Sequence, residues 1–284
     1  MYNTVKQLVA AATSKPLYEV IVEDEAALSQ RPVQEIWDEF ARRWQVMKAS
    51  AQRALAQPQP MIGGLISGQA ARQESYGAGL MGADINHMMA MAFSSSEVNA
   101  GMGRICAAPT AGACGILPAV LLTAAERLQA GEQQVLQALV VATGIGAVIT
   151  RNATVSGAEG GCQAECGTAA AMAAAGAVQM AGGSAKACAE ACAIALINCM
   201  GLICDPVAGL VQLPCSFRNA SQSVNALASA DMALAGQSCL IPADEVIESM
   251  YKVGRRLPVE FRETALGGIA ATATGKEIAR QLFG

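Results

Sequence analysis

Histidine is almost missing from this chain, and large or charged side chains are scarce: 284 residues include 1 His, 2 Trp, 4 Tyr and 5 Phe, and 15% are charged. A single histidine leaves little imidazole chemistry to this chain alone. The formal charge is −4 with no run of basic residues, so the footprint that holds a phosphate backbone is missing and a nucleic-acid partner is not expected. Met1-Tyr2-Asn3-Thr4-Val5-Lys6-Gln7 lacks the charged and apolar regions of a signal peptide. Ten cysteines in a long chain without such a start point to a reducing cytoplasm, where they serve as buried fillers, reactive thiols or metal ligands.

No segment shows the sustained alternation of a half-buried strand; Val20-Ile21-Val22 is the best short strand candidate. What is abundant is Ala, Gly, Met and Cys within a hydrophobic share of 53%. Ala favours helix, and Met and Cys fill irregular gaps, so the expected fold is all-α, a compact bundle of closely packed helices joined by Gly/Pro loops.

The segment Val98–Cys239 carries only 12 of the 42 charged residues and all ten cysteines, which marks a buried heart between charged flanks. Cys166–Ala185 and Gln133–Thr150 are uncharged and long enough to span a bilayer. They are Ala/Gly-rich, interspersed with Gln, Thr and Ser, and lack an aromatic belt or a Lys/Arg bias, so no membrane span is expected. Residues 1–57 read as amphipathic helices, with Ile36, Trp37, Phe40, Trp44, Met47 and Leu55 at helical spacing and Pro32 in a first turn. Gln57-Pro58-Gln59-Pro60 breaks this pattern, giving an N-terminal arm over 1–60 and a main domain over 61–284. Further helices are expected over 80–93, 96–106, 116–129, 133–150, 163–181, 184–202, 220–235 and 243–254.

Four small, polar loops interrupt the apolar heart: 107–115, 152–162, 204–209 and 214–219. Loops inside a core are costly unless something satisfies their backbone groups, so the chemistry is sought there. Cys188, Cys192 and Cys199 lie near one helix face and read as filler, as do Cys106, Cys114, Cys166 and Cys239. Cys162, Cys204 and Cys215 stand beside Gly160-Gly161, Asp205-Pro206 and Pro214. Their spacings of 42 and 11 are not those of a zinc ribbon or a ferredoxin, and spacing alone leaves packing and metal ligation both open.

The runs Ala107-Ala108-Pro109-Thr110-Ala111-Gly112, Gly157-Ala158-Glu159-Gly160-Gly161-Cys162-Gln163-Ala164-Glu165, Cys204-Asp205-Pro206-Val207-Ala208-Gly209-Leu210-Val211 and Pro214-Cys215-Ser216-Phe217-Arg218-Asn219-Ala220 resemble the iron–sulfur-dependent L-serine dehydratases, specifically their alpha subunit. The resemblance runs from about Gly63 to the C-terminus and is looser in the arm. It implies a [4Fe–4S] cluster on Cys162, Cys204 and Cys215, with one iron left open as a Lewis acid. It further implies an oxygen-sensitive lyase of amino-acid degradation that turns L-serine into aminoacrylate and then pyruvate and ammonia, feeding gluconeogenesis. Pyridoxal phosphate is not needed, in keeping with the lack of lysine in the four loops.

The family's other half carries a Ser-Ser-His-Thr type motif that this chain lacks. His87, in Asp84-Ile85-Asn86-His87-Met88-Met89, matches no family motif and reads as a surface or core residue. The base is therefore expected on a separate beta subunit. Asn99, Thr110, Asn152 and Ser156 are candidates for binding the amino-acid substrate, with helix capping as the alternative for each. Arg218 either meets the substrate carboxylate or pairs with Asp205 to hold two cysteine loops together. Glu159 and Glu165 bracket Cys162 and read as hydrogen-bond partners near the cluster rather than as the base. Two other readings remain: the same chemistry on L-threonine or another β-substituted amino acid, and a non-catalytic iron–sulfur redox or sensor protein.

Overall fold

A computed structural model describes residues 2–284. The described residues form thirteen α-helices and no strand, with only two isolated β-bridges. Helices α1 (Val5–Ala11), α2 (Leu17–Ser29) and α3 (Val33–Arg53) make the arm, and α4 (Gln69–Tyr76) leads into α5 (Ala83–Ala100). The heart follows as α6 (Ile116–Leu128), α7 (Glu132–Asn152), the short α8 (Gly157–Gly160), a π-helical turn over Gln163–Gly167, α9 (Thr168–Met180) and α10 (Ala185–Ile197). The chain finishes with α11 (Cys215–Leu234), α12 (Ala243–Arg256) and α13 (Ala273–Phe283).

Helix α9 is the axis of the bundle. All but one of its thirteen residues are buried, as an all-round apolar helix requires. It packs on α6, α7, α10 and α11. Small residues permit the approach: a Cβ on Gly176 would lie 3.0 Å from the Ala138 carbonyl oxygen of α7, and one on Gly146 of α7 would lie 2.7 Å from Met172 Sδ. A larger side chain at such a contact overpacks the core at a cost of about 1–3 kcal/mol. The long apolar helix Glu132–Asn152 and the window Ala111–Leu128 are each 67% buried inside this bundle.

The arm joins the same continuous core, to which Val5, Leu8, Leu17, Ile36, Phe40 and Trp44 belong. Val20-Ile21-Val22 is helical within α2, because Ile21 packs where Gly144 of α7 has no side chain. The Ser94 hydroxyl donates to the Ser50 carbonyl (2.8 Å) and accepts from the Ala54 backbone N–H (2.8 Å), which seats the end of α3 on α5. At the joint, Glu97 is fully buried and accepts from the backbone N–H groups of Gln59 (3.2 Å), Gly68 (3.0 Å) and Ala70 (2.8 Å).

Some boundaries differ from the sequence expectation. Pro32 is the N-cap of α3 rather than part of its first turn, and Gln57–Pro60 lies outside any helix. Residues 96–106 do not form a helix of their own: α5 runs on to Ala100, where Gly101 and Gly103 turn the chain into the loop over 104–110. Helix α11 begins five residues earlier than expected, at Cys215, so that cysteine opens a helix instead of ending a loop.

Candidate cluster site

Each motif cysteine is placed by a buried polar side chain nearby. Cys162 follows Gly161, whose φ of +75° and close approach to the Leu202 carbonyl exclude a side chain. Gln163, fully buried, then donates to the Gly160 (2.9 Å) and Met250 (3.0 Å) carbonyls and accepts from the Gly201 N–H (2.8 Å). The Gln163 N–H also reaches the Leu202 carbonyl (3.0 Å), so the Cys162 turn is fastened to the chain entering Cys204.

Cys204 sits in a short bridge: its N–H donates to the Phe261 carbonyl (2.8 Å), and its carbonyl accepts from the Glu263 N–H (2.8 Å). Cys215 stands at the first position of α11, after a cis Leu213–Pro214 bond. One turn on, buried Asn219 donates to the Cys215 (2.9 Å) and Gly112 (2.7 Å) carbonyls and accepts from the Gly115 N–H (2.9 Å), tying α11 to the 107–115 loop.

Arg218 takes the loop-holding role. Its Nη1 donates to the Ile203 carbonyl (2.8 Å) and its Nη2 to Asp205 Oδ1 (2.7 Å), while Asp205 Oδ2 accepts from the Ile269 N–H (2.8 Å). Burial works against the Arg218 charge, but Cys162 and Asp205 hold it firmly protonated. The other titratable groups of the site are thiols and a carboxyl, most of them pushed toward their neutral forms. Burial, then Cys162, Glu165 and Cys215 in turn, push the Cys204 thiol far up. Burial and Cys162 raise Cys215 to about 12. Cys162 alone is lowered, through its hydrogen bond with the Cys166 thiol at 3.4 Å and the nearby Arg218 guanidinium. These mutual influences place the three motif thiols in one another's neighbourhood.

Glu165 reaches into that region from the π-helical turn. Its Oε1 accepts from the Thr110 hydroxyl at 2.9 Å, and its Oε2 lies 3.9 Å from Cys204 Sγ. A Cβ on Gly157 would sit 2.5 Å from Glu165 Oε2 and 3.0 Å from Cys204 Sγ, so the wall there must be glycine. Burial raises the Glu165 carboxyl above its ordinary value, and the Thr110 hydroxyl opposes the rise.

Of the residues singled out in sequence, Cys162, Cys204, Cys215, Thr110 and Arg218 meet here. Ser156 precedes α8, one residue before Gly157, and its side chain caps nothing. Asn99 lies in the last turn of α5, and its carbonyl accepts from Met102. The Asn152 amide donates to the Asn3 (2.7 Å) and Val148 (2.8 Å) carbonyls. His87 Nδ1 lies 2.7 Å from Glu74 Oε2, pairing α5 with α4. Glu159 is exposed. Sequence reasoning passed over Gln163, Asp205 as an anchor, and Asn219; a polar residue next to a motif cysteine in an otherwise apolar stretch was the available signal.

Among the described residues, no group of three or more His, Cys, Asp and Glu side chains surrounds a single metal ion. Thiolates on one tetrahedral ion stand about 4 Å apart, whereas the ligands of a four-iron cluster bind separate irons and need a wider ring. Two buried thiols and the half-buried one of Cys215, the close glycine at Gly157 and one compensating guanidinium fit the wider group.

The fold and site thus define an all-helical scaffold whose heart is a cysteine-lined pocket assembled from separate loops. The chain matches the family model "Serine dehydratase alpha chain" over residues 12–270. It is 45% identical over 288 aligned positions to the "L-serine dehydratase, alpha chain" of Peptoniphilus asaccharolyticus, covering 100% of this chain and 99% of the relative. To the "Probable L-serine dehydratase, alpha chain" of Bacillus subtilis it is 43% identical, covering 100% and 96%. "L-serine dehydratase 1" of Escherichia coli is 38% identical over 91% of this chain, which spans 58% of that longer protein. The chain belongs to the serine dehydratase alpha chain family.

Proposed function

We propose that this chain is the iron–sulfur subunit of an L-serine ammonia-lyase that converts L-serine to pyruvate and ammonia. The observation that carries this reading is the placing of Cys162, Cys204 and Cys215 around one largely buried site beside Arg218, in a chain whose relatives are named for serine dehydration. These three thiolates would hold a [4Fe–4S] cluster. When bound, the cluster supplies a Lewis-acidic iron that makes hydroxide a better leaving group.

The reaction breaks the Cα–H and Cβ–OH bonds of serine and releases water. The resulting aminoacrylate hydrolyses to pyruvate and ammonium without net oxidation, and pyridoxal phosphate is not required. The chain's own residues build the vessel. Arg218 and Asp205 lock the Cys204 loop to α11, Asn219 locks the 107–115 loop beside it, and Gln163 fixes the Cys162 turn. Thr110, held by Glu165, and Ser156, beside the glycine wall, present hydroxyls toward the substrate. Asn99 and Asn152 act through the segments they fix, at the end of α5 and beneath the 152–162 loop. The arm over 1–60 braces the catalytic body over 61–284.

The α-proton acceptor comes from a second chain. His87 is committed to Glu74, and the longer Escherichia coli relative has room for a further part within one polypeptide. The enzyme is a hetero-oligomer with a beta subunit, acts in the cytoplasm and loses activity in air. Anaerobic purification with and without that partner, reconstitution with iron and sulfide, and a pyruvate assay with L-serine and L-threonine test this reading. Turnover by Cys204→Ser without a cluster would overturn it.

A further inference from the structure

The carboxylate of Glu165 leaves most of its hydrogen-bonding capacity unused. A carboxylate has about four acceptor positions. Oε1 receives one bond, from the Thr110 hydroxyl, and Oε2 faces only the Cys204 sulfur at 3.9 Å. Among the described residues, no Lys or Arg nitrogen forms a salt bridge with it. The neighbouring carboxylate, Asp205, has both oxygens filled by Arg218 and the Ile269 N–H.

Glycines lie against both carboxylate oxygens, where a side chain would crowd them. A Cβ on Gly157 would fall 2.5 Å from Oε2, and one on Gly112 would fall 3.4 Å from Oε1. A half-buried carboxyl with vacant lone pairs, a fixed hydroxyl and no cation in contact is matched by a small ligand with a compact cation and several N–H donors. The α-ammonium of an amino acid, with three donors and one charge, has that shape.

We infer that Glu165, oriented by Thr110, seats the α-ammonium group of the substrate and so selects amino acids over the corresponding hydroxy acids. The inference rests on the lyase reading above, because it supposes that the amino acid lies against the cysteine pocket. Thr110 holds Oε1, which leaves Oε2 and the outer lone pair of Oε1 for the ammonium. Losing the ammonium contact also frees the Cα end of the substrate, so binding and orientation depend on the same carboxylate.

The test uses the reconstituted enzyme and two non-reacting ligands of one skeleton: L-alanine, with an α-ammonium, and L-lactate, with a hydroxyl in its place. Calorimetry gives both dissociation constants, and L-serine kinetics give kcat and KM separately. The wild-type protein is expected to bind L-alanine at least about 10-fold more tightly than L-lactate. Glu165→Gln keeps the shape and the acceptor for Thr110 but removes the charge. It should raise the L-alanine dissociation constant and the L-serine KM by about 10- to 100-fold, with L-lactate binding unchanged within about 2-fold.

Equal loss of both ligands, no change in either, or a wild-type protein without the L-alanine preference would overturn the inference. Should Glu165→Gln not retain iron, Glu165→Asp, which keeps the charge one methylene back, decides: L-alanine must weaken several-fold while L-lactate does not. Absence of L-serine turnover by the wild-type complex, with the L-alanine preference intact, would instead overturn the lyase reading and leave the ammonium seat standing.

Discussion

Replacing Asp205 with Asn probes whether the cysteine loops depend on one buried ion pair. Asp205 is 2% exposed; Oδ1 accepts from Arg218 Nη2 at 2.7 Å and Oδ2 from the Ile269 N–H at 2.8 Å. An amide fills the same space with a single acceptor oxygen. Whichever way it turns, its NH2 group faces either the guanidinium or the Ile269 N–H. Loss of a charge-assisted hydrogen bond costs about 1.5–3 kcal/mol, and a buried donor left without an acceptor about 1–3 kcal/mol more. The Arg218 side chain is 15% exposed, so water recovers part of this. The working figure is about 3 kcal/mol, a Tm drop of about 5 °C for a chain of this length. Guanidinium unfolding of the iron-free, reduced chain gives the stability directly. A cycle with Arg218→Met and the double variant isolates the pair, with an expected coupling of about 2 kcal/mol. A loss below about 0.5 kcal/mol for Asp205→Asn, or a coupling below that value, would refute the view that this pair holds the loops.

Glu97→Gln can accept through only one oxygen, so the N–H groups of Gln59 and Gly68 compete for or lose their acceptor. The expected cost is about 2–4 kcal/mol, seen locally as faster amide hydrogen exchange at Gly68 and Ala70; unchanged protection would count against the clamp. Asn219→Asp sets an anion against the Gly112 and Cys215 carbonyls in a fully buried position. Iron stoichiometry after reconstitution should fall well below that of the wild type, and full iron loading would show that the 107–115 loop is held by other means. Burial raises the thiols of Cys114, Cys188 and Cys192 to about 12. Unfolded thiols ionise near pH 9, so the folded state keeps protons that the unfolded state gives up. The stability these thiols confer is therefore complete below about pH 9 and is lost as pH rises toward 12, by about 1 kcal/mol per thiol per pH unit. Denaturant curves from pH 8 to 11 should show this slope, and Cys188→Ala with Cys192→Ala should remove most of their share; an unaltered slope would refute it.

Helices were legible where composition left one option. The Ala-rich stretch of α9 has no polar face to present to water, so burial at the centre follows from its residues alone. Val20-Ile21-Val22 misled because three β-branched residues favour a strand locally, whereas the groove at Gly144 accepts Ile21 from a helix. The α5 boundary was hidden because Ser94, Ser95 and Ser96, which read as a break, are buried and spend hydroxyls on neighbouring backbone: Ser94 on α3 and Ser96 on its own helix. Cys162, Cys204 and Cys215 could be set apart by the Gly and Pro beside each, while their role as ligands was read only from the family resemblance. The residues that join their loops were not, because Gln163, Asp205 and Asn219 act across 38 to 107 positions of sequence. A one-dimensional pattern carries no trace of such a contact.

The scarcity of charge in the heart of the chain then takes on a physical meaning. A charge among close-packed small residues is tolerated only when several groups answer it. Glu97 is answered by three backbone N–H groups, and Asp205 by a guanidinium and one N–H. Both therefore work as fasteners. Glu165 is the exception, answered by one hydroxyl and a distant thiol. Burial outweighs what Thr110, Cys204 and the nearby Arg218 offer it, and its carboxyl stays above the ordinary value. In a core that satisfies its other buried carboxylates so fully, an unanswered one is the position where a cationic ligand gains the most by arriving.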